Sequence, residues 1–253
     1  MKKNSNLKIS VIIPCFNSAK TIERAISSVL ESSIDVYEII VCDDKSTDNS
    51  LKILRSLAES IEILRVVESD KNFGAGVTRR KLLEQVKGDY IAFLDSDDFW
   101  YPEKLEIQIN EMVNSSAGMC IGGYDIFNKN YKKISSRVPP KLVNFSRMHF
   151  SNWIPTSMTI ISSNLEGVTS MSSLRRRQDY AYWLNLFKQN KDLKCVSIRQ
   201  PLGGYLRSDN SLSSSAIKNL QANYLMFRKE LGYSRVLSSI IVCINSLVRI
   251  LRN

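Results

Sequence analysis

Three carboxylates close an apolar run in Ile91-Ala-Phe-Leu-Asp-Ser-Asp-Asp-Phe99. The run reads as a buried strand, so Asp95, Asp97 and Asp98 sit where it leaves a sheet. In open α/β sheets that edge is where ligands bind. Asp95 and Asp97 are two apart and share a face if the strand continues. Hard oxygen donors with no His or Cys beside them suit Mg²⁺ or Mn²⁺, ions that keep waters and accept substrate phosphates. The other reading of the same residues is an acidic turn after a strand.

The elements that must hold these acids follow from apolar spacing. Lys8 to Pro14 reads as a first strand, and Ser18 to Ser32 as a helix with Ser18 as N-cap. Tyr37 to Cys42 is a second strand ending at Asp43 and Asp44. Ser46-Thr-Asp-Asn-Ser opens a helix through about Leu57. Glu62 to Val67 is a third strand, Gly74-Ala-Gly76 opens a helix to about Val86, and Tyr90 to Leu94 is a fourth strand. That alternation predicts a right-handed βαβ layer. A helix follows Pro102. Strands are expected at Ile121 to Phe127 and Met158 to Ile161, a loop at Ile134 to Phe150, and a helix at Asp179 to Gln189. If strands one, two and four are parallel neighbours, Pro14-Cys-Phe-Asn17, Asp43-Asp44 and Asp95-Ser-Asp97 meet at one edge. That edge suits a nucleotide: Asp44 can accept a base N–H, and a metal on Asp97 can bridge a diphosphate.

This order of motifs resembles the family 2 glycosyltransferases of GT-A fold, of the bacterial surface-polysaccharide type. The matching stretches are Val11-Ile-Ile-Pro-Cys-Phe-Asn17, Ile40-Val-Cys-Asp-Asp-Lys-Ser-Thr-Asp48, Asn72-Phe-Gly74 with Arg79, and Gly88-Asp-Tyr-Ile-Ala-Phe-Leu-Asp-Ser-Asp-Asp98. The resemblance implies a GT-A-like α/β fold: a nucleotide-binding βαβ sheet with a C-terminal acceptor-side region and a terminal amphipathic helix. It implies a glycosyltransferase domain over residues 1–215, with a nucleotide-sugar half (1–116) and an acceptor-side half (117–215), then a helical tail over 216–253. Pro14, Phe16, Asn17, Asn72, Gly74, Arg79, Ser96 and Arg207 would line the nucleotide, and Asp44 would recognise the base, normally uracil. Asp95 would face the ribose of the nucleotide or the metal, and Asp97, with Asp95, would hold Mn²⁺ or Mg²⁺. Asp179, in Gln178-Asp179-Tyr-Ala-Tyr-Trp-Leu, matches the family's general base, although Gln178 replaces the usual first acid and Lys45 stands where a small residue is common. Arg207 falls in Gly204-Tyr-Leu-Arg-Ser-Asp-Asn-Ser-Leu-Ser213, which resembles the family's C-terminal segment. Arg177 and Trp183 would lie on the acceptor side; Arg177 could equally belong to a solvated basic loop, and Trp183 reads first as core and second as one wall of the acceptor cleft. The implied reaction is inverting transfer from a UDP-sugar to a glycan acceptor, a lipid-linked O-antigen or capsule repeat unit.

Composition narrows the alternatives. The chain has 253 residues, 43% hydrophobic and 24% charged, as in globular domains, and a net charge of +10 that favours anionic partners. Basic residues are dispersed and no recognition module appears, so nucleic acid is not the expected partner. Five scattered cysteines and one histidine argue against a disulfide framework, a zinc site and Cys/His catalysis, and fit a cytoplasmic protein. The N-terminus does not read as a signal peptide, and no apolar run is long enough to span a membrane. A sugar-nucleotide-forming nucleotidyltransferase would need a Gly-rich basic loop after the first strand, where this chain has Pro-Cys-Phe-Asn. An inactive sugar-nucleotide-binding protein remains the non-enzymatic alternative. In Ser234 to Asn253, Val236, Leu237, Ile240, Ile241, Ile244, Leu247, Val248 and Leu251 recur at three- and four-residue intervals. This amphipathic helix either packs on a protein surface or lies on the anionic inner face of the plasma membrane, beside a lipid-linked acceptor.

Overall fold

The computed structural model describes residues 7–207 and 216–252. Four apolar runs form parallel strands: β1 (Ile9–Cys15), β2 (Glu38–Asp43), β3 (Leu64–Glu68) and β4 (Tyr90–Phe93). β2 is buried throughout and β1 at every position but Pro14, as expected for strands covered on both faces. β1 lies between β2 and β4, with Ile12 opposite Ile40 on one side and Phe93 on the other. The chain runs outward from β1 through α1 (Ile22–Leu30), β2, α2 (Ser50–Ser60) and β3, then returns through α3 (Ala75–Leu83) to β4 on the other flank of β1. That reversal opens a crevice at the C-terminal ends of β1 and β4.

Beyond β4 the sheet continues with β8 (Thr159–Ser162), β6 (Met119–Phe127) and β9 (Cys195–Leu206), and ends on the two-residue β5 (Phe99–Trp100). β8 runs antiparallel to both β4 and β6, and β9 runs parallel to β6. Successive side chains point to opposite faces. Val11, Ile13, Ile39 and Val41 therefore pack under α1, α2 and α4 (Lys104–Ser115). Ile12, Ile40, Ile91 and Phe93 pack under α3 and α6 (Gln178–Gln189). The same second core takes in Met226 and Phe227 of α7 (Ala216–Lys229) and Ile241 of α8 (Arg235–Arg252).

Several expectations need correction. The stretch Ile134 to Phe150 is not a plain loop: β7 (Lys133–Arg137) pairs with β6, and α5 (Phe145–Met148) buries Met148. Ser18 does not cap α1, because the helix starts after Thr21 and the Ser18 hydroxyl bonds Phe16 O and Ser96 Oγ instead. β4 stops at Phe93, so Asp95 and Asp97 do not share a strand face. They lie in a turn closed by the Asp98 N–H donating to Asp95 O at 3.0 Å.

Candidate active site

The three strand ends do converge. The β1 exit and the loop after β2 are laced together: Asn17 Oδ1 accepts the Thr47 N–H at 2.8 Å, and the Asn17 N–H donates to Ser46 Oγ at 3.0 Å. The Ser18 and Ser96 hydroxyls, 2.7 Å apart, join the β1 exit to the acidic turn after β4. Phe16 projects an exposed ring at this edge and Pro14 is half-buried behind it. Asn17 and Lys45 both adopt left-handed backbone, φ 51 and 63. Lys45 carries a Cβ in a conformation that costs an L residue free energy.

Asp44 is buried, and its two oxygens accept the N–H groups of Phe73 at 2.9 Å and Gly74 at 2.7 Å. Asp44 thus shapes the Asn72–Gly74 turn. Gly74 has φ 88, and a Cβ there would press on the Arg175 guanidinium at 3.2 Å. Arg175 donates to Asn72 Oδ1 at 2.9 Å, which fastens the segment before α6 to this turn. Gly76 brings α3 against that segment even more closely, since a Cβ would lie 2.3 Å from Ser172 O. These contacts carry Asp179, in the first turn of α6, toward the acids of β4.

Arg79 is the hub. It is buried and donates to Asp95 Oδ1, while its Nε and Nη1 are buried without hydrogen-bond partners. Burial opposes its charge, but Asp95, Asp179 and Asp97 together hold the guanidinium above its ordinary value. Asp95 thus pairs with Arg79 directly, and Asp179 and Asp97 lie near enough to act on it through charge. Asp97 is pushed up to about 6, first by burial and then by the charge of Asp95, with Arg24 and Arg79 opposing. A divalent ion fits this pair. The donors are hard oxygens, and a dication beside them offsets both the burial and the repulsion that raise Asp97. Among the described residues no group of three or more His, Cys, Asp or Glu gathers for a metal. An ion here would draw its other ligands from water and phosphate.

Asp98 faces away. It is buried, accepts from Ser157 Oγ and, at 3.3 Å, from the Leu206 N–H, and burial raises it well above the carboxylate range. It ties the acidic turn to β9, which delivers Arg207 one residue later with an exposed side chain. Residues 208–213 of the expected C-terminal segment lie outside the described residues. Arg177 takes the left-handed position before α6, φ 63. Trp183 requires a correction. It is fully buried, edge-on to Phe93 at 5.2 Å, so it is core and not a wall of the acceptor cleft. Cys15 stands near the site, but burial, then Asp43, pushes its thiol up to about 12, which leaves no thiolate nucleophile at neutral pH.

Three residues at the site carried no sequence signal. Arg24 of α1 donates to Asp97 O at 2.7 Å, and its guanidinium lies over the rings of Phe99 and Tyr131 at 4.8 and 4.6 Å. Tyr205 of β9 lies close enough to the acidic turn that, after burial, Asp98, Asp97 and Asp95 raise it to about 12. Asn152 donates to Asp179 Oδ2 at 2.9 Å. Each partner is more than 25 positions away, beyond the reach of any local motif.

Comparison with known proteins agrees with this geometry. Residues 10–176 match the family described as Glycosyl transferase family 2. TuaG of Bacillus subtilis, named for teichuronic acid biosynthesis, is 32% identical over 222 residues, 87% of each chain. WfgD of Escherichia coli, a UDP-Glc:α-D-GlcNAc-diphosphoundecaprenol β-1,3-glucosyltransferase, is 30% identical over 217 residues, covering 85% of this chain and 83% of its own. Among solved structures, Staphylococcus aureus TarS 1–349 with UDP-GlcNAc superposes with TM-score 0.70 at 19% identity, over 94% of this chain and 71% of that one. A Pyrobaculum calidifontis mannosyltransferase with GDP-Man and Mn²⁺ superposes with TM-score 0.68 at 14% identity, over 94% of this chain and 68% of its own. The likeness to these structures lies in the fold. The family match over residues 10–176, the relatives at 30–32% identity and the architecture of the sheet agree: this chain belongs to glycosyl transferase family 2 and has the GT-A fold.

Proposed function

We propose that the protein moves a sugar, with inversion, from a UDP-sugar to a hydroxyl of a lipid-linked glycan during assembly of a bacterial surface polysaccharide. The buried Arg79–Asp95 pair at the end of β4, within charge range of Asp97 and Asp179, carries this reading. Asp44 accepts a uracil N–H, and Pro14, Phe16 and the Asn72–Gly74 turn bound the nucleoside. Arg79, with unpartnered buried N–H groups, supplies donors to the diphosphate, and Arg207 approaches from β9. Asp97, with Asp95, would hold Mn²⁺ or Mg²⁺, which when bound would neutralise the diphosphate leaving group. Asp179 takes the proton of the acceptor hydroxyl. The acceptor oxygen bonds to the anomeric carbon as the carbon–phosphate oxygen bond breaks, and the nucleoside diphosphate departs on the opposite face. One carboxylate suffices, and no covalent sugar–enzyme intermediate forms.

The UDP donor is supported by the UDP-GlcNAc held by the TarS neighbour. The lipid-linked acceptor is supported by the diphosphoundecaprenol substrates for which the E. coli relatives are named. We extend the reading to an anionic membrane surface on its cytoplasmic side. α8 turns Val236, Ile240 and Leu247 outward, and no helix among the described residues is long and apolar enough to cross a membrane. The direct test is Asp179→Asn. UDP affinity should hold and transfer should fall by about two to four decades, the range for a lost general base. Transfer at the wild-type rate would remove Asp179 from catalysis.

A further inference from the structure

Asp179 is held by a strap of chain that joins α5 to the 3-10 turn Thr156–Met158. Asn152 Nδ2 donates to Asp179 Oδ2 at 2.9 Å, while Asn152 Oδ1 accepts the Ile154 N–H at 3.3 Å. The amide is thus fixed at both ends, its oxygen on the main chain and its nitrogen on the carboxylate. Asn152 lies on the strap from Met148 to Ile154, between α5 and the 3-10 turn Thr156–Met158.

The start of the strap is pinned by residues from α6, from α8 and from the turn between α7 and α8. Tyr180, the residue after Asp179, donates its buried hydroxyl to Met148 O. Asn245 of α8 donates to His149 O, and to Ile241 O of its own helix at 3.0 Å. Asn245 Oδ1 also lies 3.4 Å from the Tyr180 hydroxyl. His149 Nε2 is 2.7 Å from the Tyr233 hydroxyl, and the two rings stack at 5.7 Å. Asn245 therefore touches the strap and the residue beside the base at once. A buried amide satisfied on both sides specifies one arrangement and loses hydrogen bonds in any other.

We propose that Asn152 is a positioning residue for transfer, holding the Asp179 carboxylate in one orientation, and that Asn245 of α8 sets the strap carrying Asn152. α8 is then part of the active-site scaffold, whatever else its outer face does. The inference rests on the reading of Asp179 as general base. A base misplaced by an ångström loses much of its rate while substrate binding persists.

The test uses the full-length protein, UDP binding by calorimetry, and transfer from UDP-glucose to GlcNAc-diphosphoundecaprenol, with other UDP-sugars in parallel. Asn152→Ala and Asn152→Asp should each lower kcat by about 10- to 100-fold with UDP affinity within about twofold. Asn152→Asp separates the two roles of the amide. It keeps an acceptor for the Ile154 N–H but replaces the donor to Asp179 with a like charge, so it should shift the kcat–pH profile to higher pH, whereas Asn152→Ala removes the donor without adding charge. Asn245→Leu should also lower kcat, and combining it with Asn152→Ala should add little, because both break one path. Crystal structures of Asn152→Ala and Asn245→Leu give a readout without turnover, and the Asp179 carboxylate should leave its position in both. Wild-type kcat in Asn152→Asp, an unmoved carboxylate, or losses that multiply in the double variant would each overturn the proposal. If Asp179→Asn is inactive while the Asn152 variants are normal, this inference alone fails. If Asp179→Asn is active, the reading of the base fails with it.

Discussion

At the scale of single residues, the site is an arrangement of charges that cannot all be satisfied without substrate. Asp97, raised to about 6, makes this measurable. Its ordinary value is 3.8, so the folded chain takes up a proton that the unfolded chain does not between those limits. Without a cation, Asp97 therefore lowers stability as pH rises through about 6 and restores it as pH falls. A divalent ion needs the carboxylate, so the order reverses when one binds. We expect Mn²⁺ to bind about tenfold tighter near pH 7 than near pH 5, and to stabilise the protein against urea only at the higher pH. Equal binding at both pH values in calorimetry would place the ion away from Asp97. Asp44→Ala unpairs the Phe73 and Gly74 amides, so it should reduce stability by about 1–3 kcal/mol in urea denaturation, as well as UDP affinity. The sequence revealed these acids because each ends an apolar run. It could not reveal Arg24, Asn152 or Tyr205, whose relevance lies in partners brought close only by the fold. Trp183 was legible as an aromatic on α6 but not as to which way it points.

At the scale of elements, what could be read depended on burial. β1, β2 and β4 are continuous apolar runs and stood out at once. β7 is exposed at every position and has no apolar face to signal it, since only its pairing with β6 makes it a strand. β9 carries Pro201 and slips register where it passes Gly122 and Gly123, so its pattern is broken although it spans 12 residues. Its position beside β5 and the acidic turn delivers Tyr205 and Arg207. The contact between α3 and the segment before α6 likewise depends on something absent, the side chain of Gly76. Gly76→Ala would drive a methyl group into Ser172 O. The expected loss is about 1–3 kcal/mol by overpacking, with a larger fall in transfer than in UDP binding because the start of α6 carries Asp179. A variant as stable and active as wild type would mean that the two segments separate freely.

At the scale of the whole molecule, α8 joins the cleft to the outer surface. Its inner side buries Ser238, Ile241 and Asn245 against the body. Its outer side presents Val236 at 70%, Ile240 at 51% and Leu247 at 61% exposure, with Cys243 also exposed between them. The sequence offered two readings of this helix, one packed on protein and one lying on lipid. The structure accommodates both, because the polar Ser238 and Asn245 turn inward while Val236, Leu237, Ile240 and Leu247 are exposed. Removing residues 234–253 would therefore strip buried contacts and confuse unfolding with release. Replacing Val236, Ile240 and Leu247 with Ser is the cleaner experiment. Each apolar side chain is worth roughly 1.5–3 kcal/mol on full burial, and the net charge of +10 adds attraction to anionic lipid. The triple variant should melt within a few degrees of wild type, since these side chains are exposed, and should hydrolyse free UDP-sugar normally. In flotation with phosphatidylglycerol vesicles it should stay at the bottom of the gradient where wild type rises, and transfer to a vesicle-embedded acceptor should fall with it. Flotation unchanged from wild type would rule out the outer face of α8 as the membrane contact, and loss of a dimer in solution would assign that face to a second copy of the chain.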